Sequence, residues 1–498
     1  MSMVLSTPAL AHPAGTAARR LLFLGCALAL AGCASMAPPY ERPAPPLPGQ
    51  FADNSLRSDT SAYALDWRTY FADPALQQLI TQALAHNHDL RLAVLRVQEA
   101  QASYGVQRSA SLPTLGLSTD ASRSRTPAAL SLSGHAVTAN HYQAGLGISS
   151  WEIDFWGHIA SLNDAALQSF LATDAVRRAT TVTLVAQVAD TYLGLRALDE
   201  RLRLAQESAS KQRESLRIFT RRFELGAASR LELLQVQTLV TQADALVAQL
   251  QQQLGAQRHA LDLLVGSPAE PAAAPAPAQS IASWQLPPLA AGLPSELLLQ
   301  RPDLLAAEHR IRAANGQIGA ARAAFFPSIR LTAFGGIASN ELDGLFRGAS
   351  RSWSFAPSLT LPIFDAGRNQ TNLDLAVVRK NLAVVQYEQA VQSAFRDVAD
   401  ALSARRWLSD LVLVHEQAHT VQQERARLAR LAYDNGASSF LDVLDAERTL
   451  ISATQQLAQT RGALLSSQVA LYRSLGGGAQ HLQDAPLSPI SSSAPTSP

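Results

Sequence analysis

Apolar residues recur at every seventh position late in the chain, at Val443, Leu450, Leu457, Leu464 and Leu471. Leu233, Val240, Val247, Leu254 and Leu261 keep the same spacing earlier. A seven-residue apolar repeat is the seam of one helix packed along another. Ala446, Ala453, Thr460 and Ser467 flank the second seam and leave room for close packing. A long stretch without helix breakers precedes each seam. From Ile159 to Glu224 there is no proline and a single glycine, Gly194; from Arg368 to Asn435 there is neither. Each stretch predicts about 65 residues of helix, on the order of 100 Å at 1.5 Å per residue. Helices of that length belong to coiled coils, helical tubes or bridges between compartments. The long helix stops near Gly226 or Gly436 and the seam helix starts just beyond, so each pair predicts an antiparallel helical hairpin turned at Gly-Ala-(Ala/Ser)-Ser.

A different period separates the helices. Leu115-Gly-Leu117-Ser-Thr119-Asp-Ala121 alternates apolar and polar positions, and Tyr142-Gln-Ala144-Gly-Leu146-Gly-Ile148 returns after a Ser/Gly-rich loop. Ile329-Arg-Leu331-Thr-Ala333 and Trp353-Ser-Phe355-Ala-Pro357-Ser-Leu359-Thr-Leu361 do the same in the second half. Period two over roughly ten residues is the pattern of membrane β-strands, with one face to lipid and a small or polar face to a lumen. Trp151, Trp156, Phe325, Phe326 and Trp353 fall near strand ends, where an interfacial aromatic girdle belongs. Two hairpins on a soluble core would alternate in the same way. If the strands enter a membrane, four of them cannot close a barrel, and open edges do not persist in hydrocarbon. Several chains must then pool their strands.

These patterns occur twice because the chain is duplicated. Phe223-Glu-Leu-Gly226-Ala-Ala-Ser-Arg-Leu231-Glu-Leu-Leu234 returns as Tyr433-Asp-Asn-Gly436-Ala-Ser-Ser-Phe-Leu441-Asp-Val-Leu444, an offset of 210 residues (436 minus 226). Val188-Ala-Asp190 and Val398-Ala-Asp400 share that offset. Leu112-Pro113 and Phe326-Pro327 correspond at 214 (326 minus 112). The expected organisation is a first repeat over 66–266 with a strand hairpin near 113–151, a Pro/Ala-rich linker over 267–294, and a second repeat over 295–478 with a hairpin near 327–363. A tail over 479–498 reads as disordered.

Composition narrows the class. The 498 residues are 47% hydrophobic and carry a formal net charge of +1, which offers no basic patch for nucleic acid. Arg19-Arg20 and the apolar run Leu21–Ala31 form a secretory signal too short to span as a helix. The run ends in Leu30-Ala31-Gly32-Cys33, which resembles the bacterial lipobox. That resemblance implies removal of 1–32 and acylation of Cys33 with a diacylglycerol and an N-acyl chain. Ala34 at the next position favours transfer to the outer membrane. Cys26 lies in the removed segment, so the mature chain holds no disulfide. Residues 33–65 then form an acylated N-terminus and a tether with six prolines between Pro38 and Pro48. Asp73-Pro74 opens the first helix of the body.

Candidate chemistry is sparse. His86 with His88, and His415 with His419, lack a third ligand or a general base of known motif. No phosphate-cradling Gly-rich loop or Gly-x-Ser-x-Gly elbow occurs. No enzyme, metal site or cofactor is expected beyond the acyl chains of Cys33. A lipid-anchored periplasmic coiled-coil scaffold would explain the heptads but not the two inserted hairpins.

Four segments complete the picture: Arg301-Pro-Asp-Leu304, Phe325-Phe-Pro-Ser328, Leu361-Pro-Ile-Phe-Asp-Ala-Gly-Arg368, and Tyr433…Gly436…Leu441-Asp-Val-Leu-Asp-Ala446. With the repeat and the lipobox, they make the chain resemble the outer-membrane factor family of tripartite efflux pumps, the TolC/OprM-like channels, in its NodT-type lipoprotein branch. The resemblance covers Trp67 to about Gly478. It implies a mainly α fold with a membrane β-barrel portion. Three chains would each lend four strands to one twelve-stranded barrel, with a periplasmic helical tube and a belt built from the termini and the linker. It implies a passive conduit for small molecules such as drugs and toxic compounds, with a periplasmic adaptor and an inner-membrane pump, of RND type, as partners. Type I protein secretion is the competing export route.

The resemblance places a periplasmic gate at Leu441, Asp442, Asp445 and Tyr433. Asp442 and Asp445 are spaced i,i+3 on one helix face. Threefold symmetry would gather six carboxylates, which raise one another's pKa and attract cations. The first copy carries Glu232 and Gln235 there, so only the second is doubly acidic. Some relatives have an arginine where this chain has Ser438, a departure that leaves open whether the tip keeps a polar latch. Gly226, Ala227, Ser229, Gly436, Ala437 and Ser439 are the expected adaptor contacts, although glycine suits a helix-ending turn in any case.

Overall fold

The structure is a computed structural model, and it describes residues 36–44, 51, 62–132, 134–266, 284–289 and 300–482. The longer helices among them are α1 (Pro74–His86), α2 (His88–Ser109), α3 (His158–Glu224), α4 (Arg230–Val265), α5 (Pro302–Ala323), α6 (Arg368–Asp434) and α7 (Phe440–Ser474). The strands are β1 (Leu115–Thr126), β2 (Val137–Ile153), β3 (Ser328–Ser339) and β4 (Arg351–Thr360). Both long stretches form unbroken helices of 67 residues. Cys33, the acylation site expected from the sequence, lies outside the described residues, as do most of the linker and the tail.

The chain divides into two compact units that do not follow the sequence repeats. One combines 1–42, 99–171 and 308–385, and the other combines 43–98, 172–307 and 386–498. Each repeat contributes to both units, because each long helix continues from one into the other.

The first unit holds a four-stranded antiparallel sheet in the order β1-β2-β3-β4. Its register separates two faces. Leu117 pairs with Leu146, Leu146 with Gly335, and Gly335 with Trp353. The next row is Ser118, Gly145, Gly336 and Ser352. One face is therefore apolar and the other small or polar, as alternation requires. Phe334 is the exception on the polar face. Its ring lies over Gly145 and Gly336, where an added Cβ would stand 2.6 and 2.9 Å from it. A bulge between Ile148 and Trp151 interrupts the β2–β3 register, with Ser150 at φ 52°. Below it, the Trp156 indole donates to the Pro327 carbonyl at 2.9 Å and stacks on Phe326 at 4.8 Å. β1 and β4 are the open edges of the sheet.

In the same unit Met36–Arg42 lies along α5. Asn315 donates to the Pro38 carbonyl at 2.6 Å, and Arg322 to the Met36 carbonyl at 3.4 Å. Arg42 and Arg312 each approach the Glu308 carboxylate at 2.6 Å, and the Glu308 side chain is only 4% exposed.

The second unit contains the main core. Tyr70 stacks on Tyr472 at 4.6 Å, with Phe71 edge-on at 5.5 Å, and the Tyr472 hydroxyl donates to the Leu65 carbonyl at 3.0 Å. Leu289 of the linker is buried here, and Trp284 meets Tyr192 at 5.9 Å. The segment around Asp73 behaves as its sequence predicts: the side chain accepts from Leu76 N at 2.8 Å with Pro74 at the first helical position. Arg301 grips Asp303 at 2.7 Å and donates to the Ser474 carbonyl at the end of α7 at 2.8 Å. Gly194, the single glycine of α3, has a local reason. A side chain there would strike Gln257, whose amide donates to the Thr191 carbonyl at 3.1 Å.

The helical hairpins are joined by side chains of opposite charge. Arg213 of α3 meets Asp244 of α4 at 2.6 Å, and Arg461 of α7 meets Glu416 of α6 at 2.8 Å. Every seam position in α4 and α7 is buried or half-buried.

Candidate functional site

The hairpin tips of the second unit are built from two turns of the same design. Gly226 and Gly436 adopt φ of +73° and +74°, a left-handed conformation that glycine enters without steric cost. Gly226 N donates to the Phe223 carbonyl at 3.0 Å and Ala227 N to the Arg222 carbonyl at 2.7 Å. Gly436 and Ala437 repeat the pattern onto Tyr433 and Ala432 at 2.9 and 2.8 Å. This paired pattern is a Schellman motif, which satisfies the last carbonyls of the long helix.

Three residues later the next helix is capped. The Ser229 hydroxyl accepts from Glu232 N at 3.2 Å while Ser229 N donates to the Glu232 carboxylate at 2.6 Å. Ser439 N and its hydroxyl both donate to the Asp442 carboxylate, at 3.1 and 2.9 Å. Each is a capping box. Asp442 and Glu232 are thus equivalent and serve the same local purpose in both copies. The motif Ser-x-x-(Glu/Asp) is visible in the sequence and accounts for the first acidic position without reference to a gate.

Beneath the turns Phe219, Leu233, Val236, Phe440, Val443 and Leu444 form a small separate core. Phe219 and Phe440 approach to 4.0 Å between centroids, and Tyr433 meets Phe440 at 5.0 Å. Arg222 donates to the Tyr433 hydroxyl, and its guanidinium stands 5.3 Å from the Phe219 ring. At the tip the two hairpins of one chain are therefore tied together by aromatic packing and the Arg222–Tyr433 contact, and farther along Gln212 of α3 donates to Glu447 of α7 at 3.0 Å.

Asp445 occupies the other acidic position. Its carboxylate takes Arg425 of α6 at 2.6 Å and Arg448 of α7 at 2.9 Å. Arg425 first, with Arg448, holds the carboxyl below the ordinary aspartate range. The mutual raising expected of six gathered carboxylates belongs to a threefold assembly; within one chain the two guanidinium groups set the direction for Asp445. Hydrogen bonds from Ser229 lower the Glu232 carboxyl likewise.

Leu441 is 55% exposed beside these groups. Gly226, Ala227, Ser229, Gly436, Ala437 and Ser439 are all exposed at the turns. The structure thus gathers the predicted gate and tip residues at one end of the hairpins. Arg222, Arg425 and Arg448 are additions from the structure. Their signal lies in the differences between the copies. At the 210-residue offset Arg425, Asp445 and Arg448 face Ser215, Gln235 and Thr238, so the whole ion triad is confined to the second copy. Arg222 likewise faces Ala432.

Comparison with known proteins agrees with this geometry. The family model described as outer membrane efflux protein matches residues 79–267 and 293–477, one stretch in each half. The chain is 40% identical to the cation efflux system protein CusC of Escherichia coli over 465 residues, 93% of this chain and 99% of that protein. It is also 40% identical to the toluene efflux pump outer membrane protein TtgF of Pseudomonas putida over 478 residues, 94% of this chain and 98% of that one. The solved open state of the Neisseria gonorrhoeae MtrE outer membrane channel superposes with a TM-score of 0.82 at 38% identity, covering 90% of this chain and 99% of that one. The duplicated hairpins, the strand pairs and these matches together establish that the chain belongs to the outer membrane efflux protein family.

Proposed function

We propose that this outer-membrane efflux channel protein works as a homotrimer, the passive conduit of a tripartite assembly with a periplasmic adaptor and an inner-membrane pump of RND type. The observation that carries this reading is the four-stranded sheet with an apolar face and two open edges. Unpaired strand edges are untenable in hydrocarbon, and barrels begin at about eight strands. Three copies pairing β4 of one with β1 of the next close a barrel. No residue is given a catalytic part.

The tip gates the conduit. Leu441 narrows it, Asp445 with Arg425 and Arg448 sets its charge, and Tyr433 with Arg222 holds the hairpins together. The exposed turns at Gly226, Ala227 and Ser229 and at Gly436, Ala437 and Ser439 offer the adaptor its contacts. Cys33, three positions before Met36, carries the acyl chains, and the seating of Met36–Arg42 on α5 supports an anchor at the strand end of that helix. Relatives of equal identity are named for a cation pump and a toluene pump, which supports a permissive channel whose cargo the pump selects.

The test is single-channel recording in planar bilayers with the oligomeric state measured on the same sample. A conducting trimer whose current rises in the Asp442→Ala, Asp445→Ala variant is the expected result. A monomer without conductance would sink the conduit, and unchanged current in the variant would remove the gate assignment.

A further inference from the structure

The apolar face of the sheet does not stay apolar to its end. On β1 the residues Leu115, Leu117, Thr119 and Ala121 share one face by two-residue alternation, and the next members of that face are Arg123 and Arg125. The β1–β2 pairing runs without a shift from Leu115 to Thr126, so neither arginine turns to the other face. Asp120, the one acid of β1, lies on the polar face. On β4 the apolar face reads Leu359, Pro357, Phe355 and Trp353, and its next member toward the loop is Arg351. All three arginines are exposed. Among the described residues none of them has a carboxylate partner, whereas the neighbouring Arg347 is already paired with Asp343 at 3.4 Å.

Their height follows from strand geometry. Arg123 and Arg125 lie eight and ten residues beyond Leu115, or roughly 19–24 Å along the normal for a strand rising about 3.4 Å per residue and tilted about 45°. The apolar band of an outer-membrane barrel is about 25 Å tall. The arginines therefore stand at its upper rim. Trp353, 80% exposed, is the last apolar residue of that face on β4 before the loop, and tryptophan settles at headgroup depth. Arg351 is one same-face step beyond it. All three lie at the loop ends of the strands; the opposite ends lead into the helices.

From this placement we propose that Arg123, Arg125 and Arg351 form a binding site for the phosphates of the glycolipid in the outer leaflet, lipopolysaccharide. The site rests on the trimeric reading, because β4 of one copy and β1 of the next would bring Arg351 to the side of Arg123 and Arg125 at each seam. Three unpaired guanidinium groups, each able to grip phosphate in a bidentate fork, suit a multiply phosphorylated headgroup. They lie on the outward face, so the site serves the surrounding lipid and not the cargo.

Native mass spectrometry of the purified full-length protein tests this, with bisphosphorylated lipid A, dephosphorylated lipid A and inorganic phosphate as probes. The wild type should retain bisphosphorylated lipid A about tenfold better than the dephosphorylated form, as loss of charge-assisted contacts implies. The Arg123→Gln, Arg125→Gln, Arg351→Gln variant should lose that preference while its trimer mass and single-channel current stay unchanged. Equal retention of the two lipids by the wild type, or a preference that survives in the variant, would overturn the site. So would full displacement of the lipid by equimolar inorganic phosphate. Failure of the trimeric reading would show separately, as a monomer without conductance.

Discussion

Arg222 donates to the hydroxyl of Tyr433, and this contact ties the last turn of α3 to the last turn of α6. Tyr433→Phe keeps the ring against Phe440 but leaves the half-buried guanidinium without its acceptor, a loss of about 1–3 kcal/mol. The tip should loosen, and single-channel current should rise. Arg222→Ala should produce the same rise, and the double variant should add little to either single one, since both remove one bond.

Asp445 predicts a pH response of definite sign. Its carboxyl is depressed by Arg425 and Arg448, so the unfolded chain binds protons more readily than the native one. The contribution of the triad is fully present above the unfolded aspartate value of about 3.9 and fades as the pH falls through the lower folded value. Thermal unfolding of wild type and Asp445→Asn, followed by circular dichroism, should differ by a constant amount from pH 6 to 8 and converge toward pH 3.

Asp442 separates capping from gating. Asp442→Glu reproduces the box that Glu232 already makes in the first copy and should leave stability and current unchanged. Asp442→Ala removes the cap, at about 0.5–2 kcal/mol. If Asp442→Glu alters current as strongly as Asp442→Ala, the residue acts on ions directly.

Gly436→Ala forces a Cβ into a left-handed turn and should cost about 1–2 kcal/mol. The space around the position is open, so backbone conformation alone sets the penalty. Gly436→Asn should melt between the two, because asparagine tolerates that conformation better than alanine. Gly226 should give the same order.

Glu308 anchors the N-terminal segment Met36–Arg42 through Arg42, while Arg312 of its own helix takes the other carboxylate oxygen. Glu308→Ala removes the carboxylate that both guanidinium groups meet. The expected loss is about 2–3 kcal/mol, less than for a fully buried pair because both arginines reach water. Limited chymotrypsin digestion should then cut after Tyr40, whose ring lies 4.7 Å from the Arg312 guanidinium, faster than in the wild type, and Glu308→Gln should lie between the two.

The elements of this fold were legible because their signals are local. The unbroken runs before Gly226 and Gly436 became the two long helices, and the two-residue alternation around Leu117 and Leu146 became paired strands. The tip was half legible. Its glycines and the acids at 442 and 445 stood out, but the acids looked alike in the sequence. Only their neighbours show that Asp442 closes a capping box and Asp445 an ion triad. Arg222 carried no motif at all, and only the difference from Ala432 in the other copy hints at it.

By itself the sequence determined the helical hairpins, the strand hairpins and the duplication, since periodicity and breakers act through residues close along the chain. Tertiary structure alone decided the partners of each charge. It brought Arg425 against Asp445 across two antiparallel helices, and it laid Arg42 against Glu308, 266 positions away. Helical period states which face a side chain occupies but not what stands opposite. That depends on the stagger of one helix along another, which the packed seams set only when the whole chain has folded.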